Sequence, residues 1–144
     1  MPAQDSPTHQ GIGMSLIDSL QKNLPGFPKH LGIEFVEAGP NRVIATMLVR
    51  DDLCTETKSV HGGALMAFAD TLGAVATIIN IPRENWTATM ESKTNFIAPA
   101  PAGTMLTGQT TPLHKGKRTH IWETTITRED GRVVAKVTQT QLVL

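Results

Sequence analysis

The chain has a single cysteine, Cys54, among 144 residues. No disulfide can form within it, and one thiolate cannot build a cysteine zinc site. That usage fits a reducing, cytoplasmic setting. An excess of one charge is also missing, since 13 Lys and Arg face 13 Asp and Glu. Without a net field the chain is not drawn to nucleic acid or anionic lipid, so any anion must be held by a local cluster. The opening MPAQDSPTHQGIG has no basic segment followed by an apolar one. No signal peptide is expected there, only a loose polar lead-in. A membrane span needs roughly 20 apolar residues with few charges. The most apolar stretch, 64–79, falls short of that and contains Asp70, Thr71 and Thr77. It reads as a buried helix. No repeat, low-complexity tract or linker marks a second large unit.

What is present is an ordinary globular balance, 40% hydrophobic and 18% charged, in a chain sized for one domain with a real core. MSLIDSLQKNL (14–24) spaces Met14, Ile17, Leu20 and Leu24 as a surface helix does, and Pro25-Gly26 stops it. GIEFVEA (32–38) and RVIATMLVR (42–50) flank GPN and read as a hairpin, with Val43, Ala45, Met47 and Val49 on one face. From Gly63 to Ile79 apolar residues occur all round the helical wheel, which predicts a helix enclosed on most sides. Strand-like segments follow at 87–98, 104–115, 118–128 and 132–144, separated by PAPAG, a turn at Gly116 and EDG. An antiparallel meander curled round the helix, with a hairpin before it, lets each layer cover the other. The class is α+β. Residues 1–30 form a lead-in with a surface helix, and 31–144 form the main domain.

Within SVHGGALMAFADTLGA (59–74), Asp70 is the only ionisable side chain between His61 and Arg83. A carboxylate without partners inside a protein costs several kcal/mol or becomes neutral. Asp70 is therefore a structural acid bonded to Thr71 or a backbone group, a solvent-facing acid, or a general base or nucleophile in an apolar cleft. His61-Gly62-Gly63 stands where the helix begins, and the first amides of a helix have no partners within it. With the positive end of the helix dipole they suit an oxyanion or a polarised carbonyl. Gly62 and Asp70 are separated by about 12 Å of helix at 1.5 Å per residue. A nucleophile must approach the carbonyl carbon to roughly 3–3.5 Å. If both act on one substrate, Asp70 must meet the glycine turn of another subunit, as in an isologous dimer.

HGGALMAFADTLGA resembles the signature of the hotdog-fold thioesterases of the phenylacetic-acid-pathway (PaaI) type, and FIAPAPAG after the strand at 87–98 also fits. The resemblance covers about residues 30–144. It implies a hotdog fold, an antiparallel sheet wrapped around a long central helix, and hydrolysis of an acyl-CoA thioester to the free acid and CoA. No metal or redox cofactor is implied. By that resemblance the Gly62 amide polarises the thioester carbonyl, and His61 shapes the turn that presents it. Asp70 of the neighbouring subunit is nucleophile or base, and Thr89 positions the water. Thr55 stands where the family commonly has an asparagine facing the site, and its shorter hydroxyl cannot donate and accept as an amide does. Dimers that pair into tetramers are implied.

His114-Lys115-Gly116-Lys117-Arg118 reads as a solvated hairpin tip or as an anion site, with basic side chains around a turn glycine. The resemblance favours Lys117 and Arg118 as ligands of the CoA phosphates. His30 and His120 lack metal-ligand spacing and read as surface or strand histidines. Cys54 reads as an ordinary thiol, and Trp122 as core or interface. Two further functions stand beside hydrolysis. One is an acyl-CoA-binding protein without catalysis, which the Thr55 departure allows. The other is a hydratase or dehydratase, whose histidine–acid motif is absent. The acyl group is not legible.

Overall fold

The computed structural model describes residues 9–144, with side chains from residue 16 onward. Helix α1 (His9–Lys22) begins five residues before the expected position, within the stretch read as lead-in, whose first eight residues lie outside the described part. It stops three residues before Pro25 because the Asn23 side chain turns back onto the Ser19 carbonyl at 2.8 Å. A short helix α2 (Gly26–Leu31) follows, closed by Gly32 at φ 76°, the left-handed cap that glycine adopts freely. Gln21 of α1 then pins the next strand, donating to the Ile33 carbonyl and accepting from the Phe35 amide, both at 2.9 Å.

The hairpin forms as the sequence predicts, from β1 (Glu34–Gly39) and β2 (Arg42–Leu48). Helix α3 (Gly62–Ile79) comes next, then β3 (Thr87–Phe96), β4 (Met105–Lys115), β5 (Thr119–Thr127) and β6 (Val133–Val143). The six strands make one antiparallel sheet in the order β1-β2-β4-β5-β6-β3.

That order corrects the expected meander. β4, β5 and β6 do follow one another, but β3 does not lie beside β4. It crosses to the far edge and pairs with β6. The segment after β3 accounts for this. Pro101 and Ala100 are drawn to the loop before α3, through a bridge from Ser59 and a 2.9 Å bond from the Val60 amide to the Ala100 carbonyl. The chain thus passes the mouth of α3 before entering β4, which precludes a tight β3–β4 hairpin.

α3 lies across the sheet and buries Leu65, Phe68, Ala69, Leu72, Gly73, Ala76 and Thr77, an i, i+3, i+4 stripe. By length and composition it would suffice to cross a bilayer, yet here that stripe is occupied by the sheet. Beneath it the strands present alternate residues, among them Val43, Ala45 and Met47 of β2, Trp122 and Ile126 of β5, and Ala135 and Val137 of β6. The Trp122 indole donates to the Thr77 hydroxyl at 2.8 Å, so this tryptophan belongs to the core.

The helix is not enclosed on most sides, which corrects a second expectation. Its opposite face carries Gly63, Met66 and Ile78 exposed, with Asp70 and Ala74 half-buried between them. Apolar residues run all round the wheel, but one sheet can cover only one side. The other apolar side is left open.

Candidate active site

His61 caps α3. Its backbone is extended (φ −67°, ψ 136°), and its Nδ1 accepts from the Gly63 amide at 2.8 Å. The imidazole therefore occupies the second glycine's N–H and leaves the first one free. Among the described residues the Gly62 amide has no hydrogen-bond partner. Space is also tight here, because a Cβ on Gly62 would lie 2.9 Å from the Phe96 ring and would push that exposed side chain aside. Val60, Gly62, Leu65, Phe96, Ile97, Ala98 and Pro99 line a cavity of about 330 Å³ at this end of the helix. A free N–H at a helix N-terminus, beside a cavity lined by apolar side chains and exposed backbone, can hold the oxygen of a polarised carbonyl.

Two turns along, Asp70 is half-buried on the open face. Thr71 does not partner it, since its hydroxyl bonds the Ala67 carbonyl at 2.8 Å. Instead the Thr89 hydroxyl donates to Asp70 Oδ1 at 2.5 Å. The backbone of β3 makes that contact possible. Its pairing with β6 shifts by one residue between Thr89 and Glu91, a bulge that leaves Met90 unpaired and re-aims the strand at this point.

Asp70 also borders an open apolar groove of about 480 Å³ between the α1–α2 corner and α3. Leu24, Pro28, Val75, Ile78 and Trp86 form its walls. A half-buried carboxylate with one hydroxyl partner, at the rim of an apolar groove, suits general base or nucleophilic work.

The other sequence-predicted residues are placed differently. Thr55 lies in the loop before α3, with its hydroxyl 2.9 Å from that of Thr57 and 3.4 Å from the Ser59 carbonyl. Lys117 and Arg118 are exposed at the β4–β5 turn. Lys115 is not free for an anion. Its ammonium reaches the Asn41 side chain at 2.7 Å, the Pro40 carbonyl at 3.2 Å and Asn80 at 3.4 Å, tying this hairpin to the C-terminal end of α3. Cys54 donates to the Arg50 carbonyl at 3.4 Å, as an ordinary thiol can. His30 is exposed and His120 is a buried strand residue. Burial pushes the His120 imidazole below its usual pKa, against a backbone hydrogen bond at Gly116. Among the described residues no group of three or more His, Cys, Asp or Glu side chains could hold a metal.

Sequence reasoning missed Gln139 and Gln141. Both are fully buried, and Gln141 donates to the Thr89 hydroxyl at 2.7 Å. The signal was present in VVAKVTQTQLV, where period 2 puts both amides on the face of Ala135 and Val137 and turns Lys136 outward.

One long helix laid over a six-stranded antiparallel sheet, with a free amide at its N-terminus and an acid on its open face, defines a hotdog-fold protein. The likeness to solved structures is close. The chain superposes on S. sahachiroi AziG with a TM-score of 0.81 at 27% identity, over 85% of this chain and 98% of that one. The Escherichia coli PaaI protein of the phenylacetic acid degradation operon gives 0.81 at 23% identity, over 90% and 92%, a likeness of fold. Residues 57–135 match the family model of the thioesterase superfamily. The chain belongs to that superfamily, and its class is that of a thioester hydrolase. Among its relatives, a protein of Mycobacterium tuberculosis (strain ATCC 25618 / H37Rv) that carries an esterase name by assignment only is 34% identical over 113 residues, which are 76% of this chain and 80% of the relative. The 1,4-dihydroxy-2-naphthoyl-CoA hydrolase of Escherichia coli (strain K12) is 30% identical over 122 residues, 85% and 87% of the two chains.

Proposed function

We propose that this chain hydrolyses an acyl-CoA thioester to the free acid and CoA, in a site completed by a second copy. The observation that carries the reading is the placement of its two active halves. The free Gly62 amide and the Asp70–Thr89 pair belong to one unbroken helix. They lie about 12 Å apart along its axis, too far for one carbonyl group to meet both. A second α3 packed antiparallel on the open face brings the partner's glycine turn to this Asp70, and the reverse, giving two equivalent sites.

The surface supports the same arrangement. Met66 and Ile78 of α3 and Met90 and Phe96 of β3 are exposed along the helix and the neighbouring edge strand. β3 is an edge strand with one row of backbone groups unpaired within the sheet, the kind of edge a second chain can extend. In the mechanism, the thioester oxygen sits on the Gly62 amide, and its carbon faces Asp70 of the other subunit. By one route Asp70 attacks that carbon, expelling CoA as the thiolate and leaving an acyl-aspartyl anhydride that water then hydrolyses to the free acid. By the other, Asp70 takes a proton from water held at Thr89, so that hydroxide adds to the carbon and the proton passes to the departing CoA sulfur. The apolar groove walled by Leu24, Val75, Ile78 and Trp86 receives the acyl group. Its volume is that of a small-molecule pocket. Lys117 and Arg118 remain the proposed phosphate ligands. The two relatives named for CoA-thioester and ester hydrolysis support the chemistry. The proposed setting is cytoplasmic.

The test is release of free thiol from a panel of aromatic and straight-chain acyl-CoAs. Asp70→Asn removes the charge at almost constant shape. Turnover should fall by at least a hundredfold, with circular dichroism and Tm near those of the parent. Unchanged CoA release by this variant refutes the reading.

A further inference from the structure

The buried glutamines of β6 form a continuous hydrogen-bonded chain that begins and ends on α3. Gln139 donates to the Ala69 carbonyl at 2.8 Å. Gln141 donates to Gln139 Oε1 at 2.7 Å and, with the same nitrogen, to the Thr89 hydroxyl at 2.7 Å. Thr89 then reaches Asp70, the residue next to Ala69. Thr87 closes the remaining position, with its hydroxyl 2.9 Å from Gln141 Oε1.

The direction of every hydrogen in this chain is determined by its first member. A carbonyl can only accept, so Gln139 must present its NH2 to Ala69 and its oxygen to Gln141. Gln141 must then present its NH2 to Gln139, and the second hydrogen of that group points at Thr89. An amide turned the other way would set two oxygens against each other at 2.7 Å. Thr89 Oγ1 thus receives a hydrogen bond, and its own single hydrogen is left for Asp70.

The helix is cut to admit the chain. A Cβ on Gly73 would lie 2.3 Å from the Gln139 amide carbon and nitrogen, well inside contact distance. Glycine in a helix interior is unfavourable relative to alanine. Here its bare backbone lets Gln139 lie against α3 and reach Ala69.

We infer that Gln141, oriented by Gln139, is a positioning residue that commits the Thr89 hydroxyl proton to Asp70. Thr89 consequently offers only a lone pair to a substrate water, and Asp70 keeps Oδ2 free to react. The inference rests on the reading of Asp70 as the reacting carboxylate, and it assigns a role to two side chains that touch neither substrate nor solvent.

The first experiment needs no turnover. In the parent protein, NMR should show the side-chain NH2 protons of Gln139 and Gln141 exchanging at least tenfold more slowly than those of exposed Gln109. In Thr89→Val the protection of Gln141 should fall, while that of Gln139 persists. Equal exchange for Gln141 and Gln109 in the parent overturns the relay. The second experiment uses whichever of benzoyl-CoA and octanoyl-CoA is cleaved. Gln141→Leu should lower kcat at least tenfold with KM within threefold and the fold retained by circular dichroism. Gln141→Glu carries an acceptor in place of the donor at neutral pH. Its kcat relative to the parent should rise as the pH is lowered and the new carboxyl gains a proton. A folded Gln141→Leu with kcat within twofold of the parent, or a Gln141→Glu ratio independent of pH, overturns the positioning role. Full activity in Asp70→Asn instead removes the catalytic reading, and the exchange pattern still decides the relay.

Discussion

At the scale of single residues, the sequence made the acid conspicuous and hid what holds it. Asp70, Gly62 and His61 stood out as candidates, because an acid in an apolar helix and a double glycine at its start are each unusual, whereas Thr89 came only from the family resemblance. Thr89 meets Asp70 directly, whereas Thr55 bonds within its own loop. Gln139 and Gln141 were passed over because glutamine in a threonine-rich strand looks like solvent-facing polarity. The period of β6 puts them on the face of Ala135 and Val137, and the structure buries that face completely. His120 lies on the same stretch of sheet, directly opposite Gln141. Burial lowers its pKa, so as pH falls through about 6.5 the unfolded chain takes up a proton that the folded chain resists. More protons bound to the unfolded state means stability that rises with pH. Unfolding free energy should therefore decline on acidification below about pH 6.5, by no more than about 1.4 kcal/mol per pH unit for one proton. Urea titrations at several pH values should show a shallower decline in His120→Gln.

At the scale of elements, helix and strand boundaries came within a residue or two for most of the chain, since hydrophobic period and turn residues act locally. Strand order did not. Nothing in TATMESKTNF says that its partner is β6 and not β4; that choice is made by the Pro99–Gly103 connection binding the loop at Ser59 and Val60. The bulge at Met90 was equally invisible, because it is a mismatch between two strands and not a property of one. The tie between layers is more local. Thr77 of α3 accepts from the Trp122 indole of β5, with both residues fully buried. Thr77→Val keeps the shape and leaves the indole N–H unpaired. It should cost about 1–3 kcal/mol, read from chemical denaturation followed by tryptophan fluorescence.

At the scale of the whole molecule, the open side of α3 is the main departure from expectation. A wheel apolar all round predicts a helix enclosed on most sides, whereas the single sheet curls over one side of α3 and leaves the other open. The uncovered side holds both the acid and the apolar residues expected of an interface core. Placing a charge there should separate the proposed copies. Met66→Lys, on the exposed face of α3 between Gly62 and Asp70, should shift the sedimentation coefficient toward that of a monomer. Thiol release should fall by at least tenfold, while the circular dichroism spectrum is kept. A variant that stays assembled and active would contradict the shared site.

The position of β6 has a consequence for how the polypeptide is made. Both of its neighbours, β3 and β5, precede it in the sequence, yet it lies between them. On a ribosome the two flanking strands emerge first and must wait, unjoined, for residues 133–143. Pairing of this kind closes long loops and is slow to nucleate. Termination before Val133 would strip an interior rib from the sheet, not fray its margin, and would take from β3 the strand that holds it in the sheet.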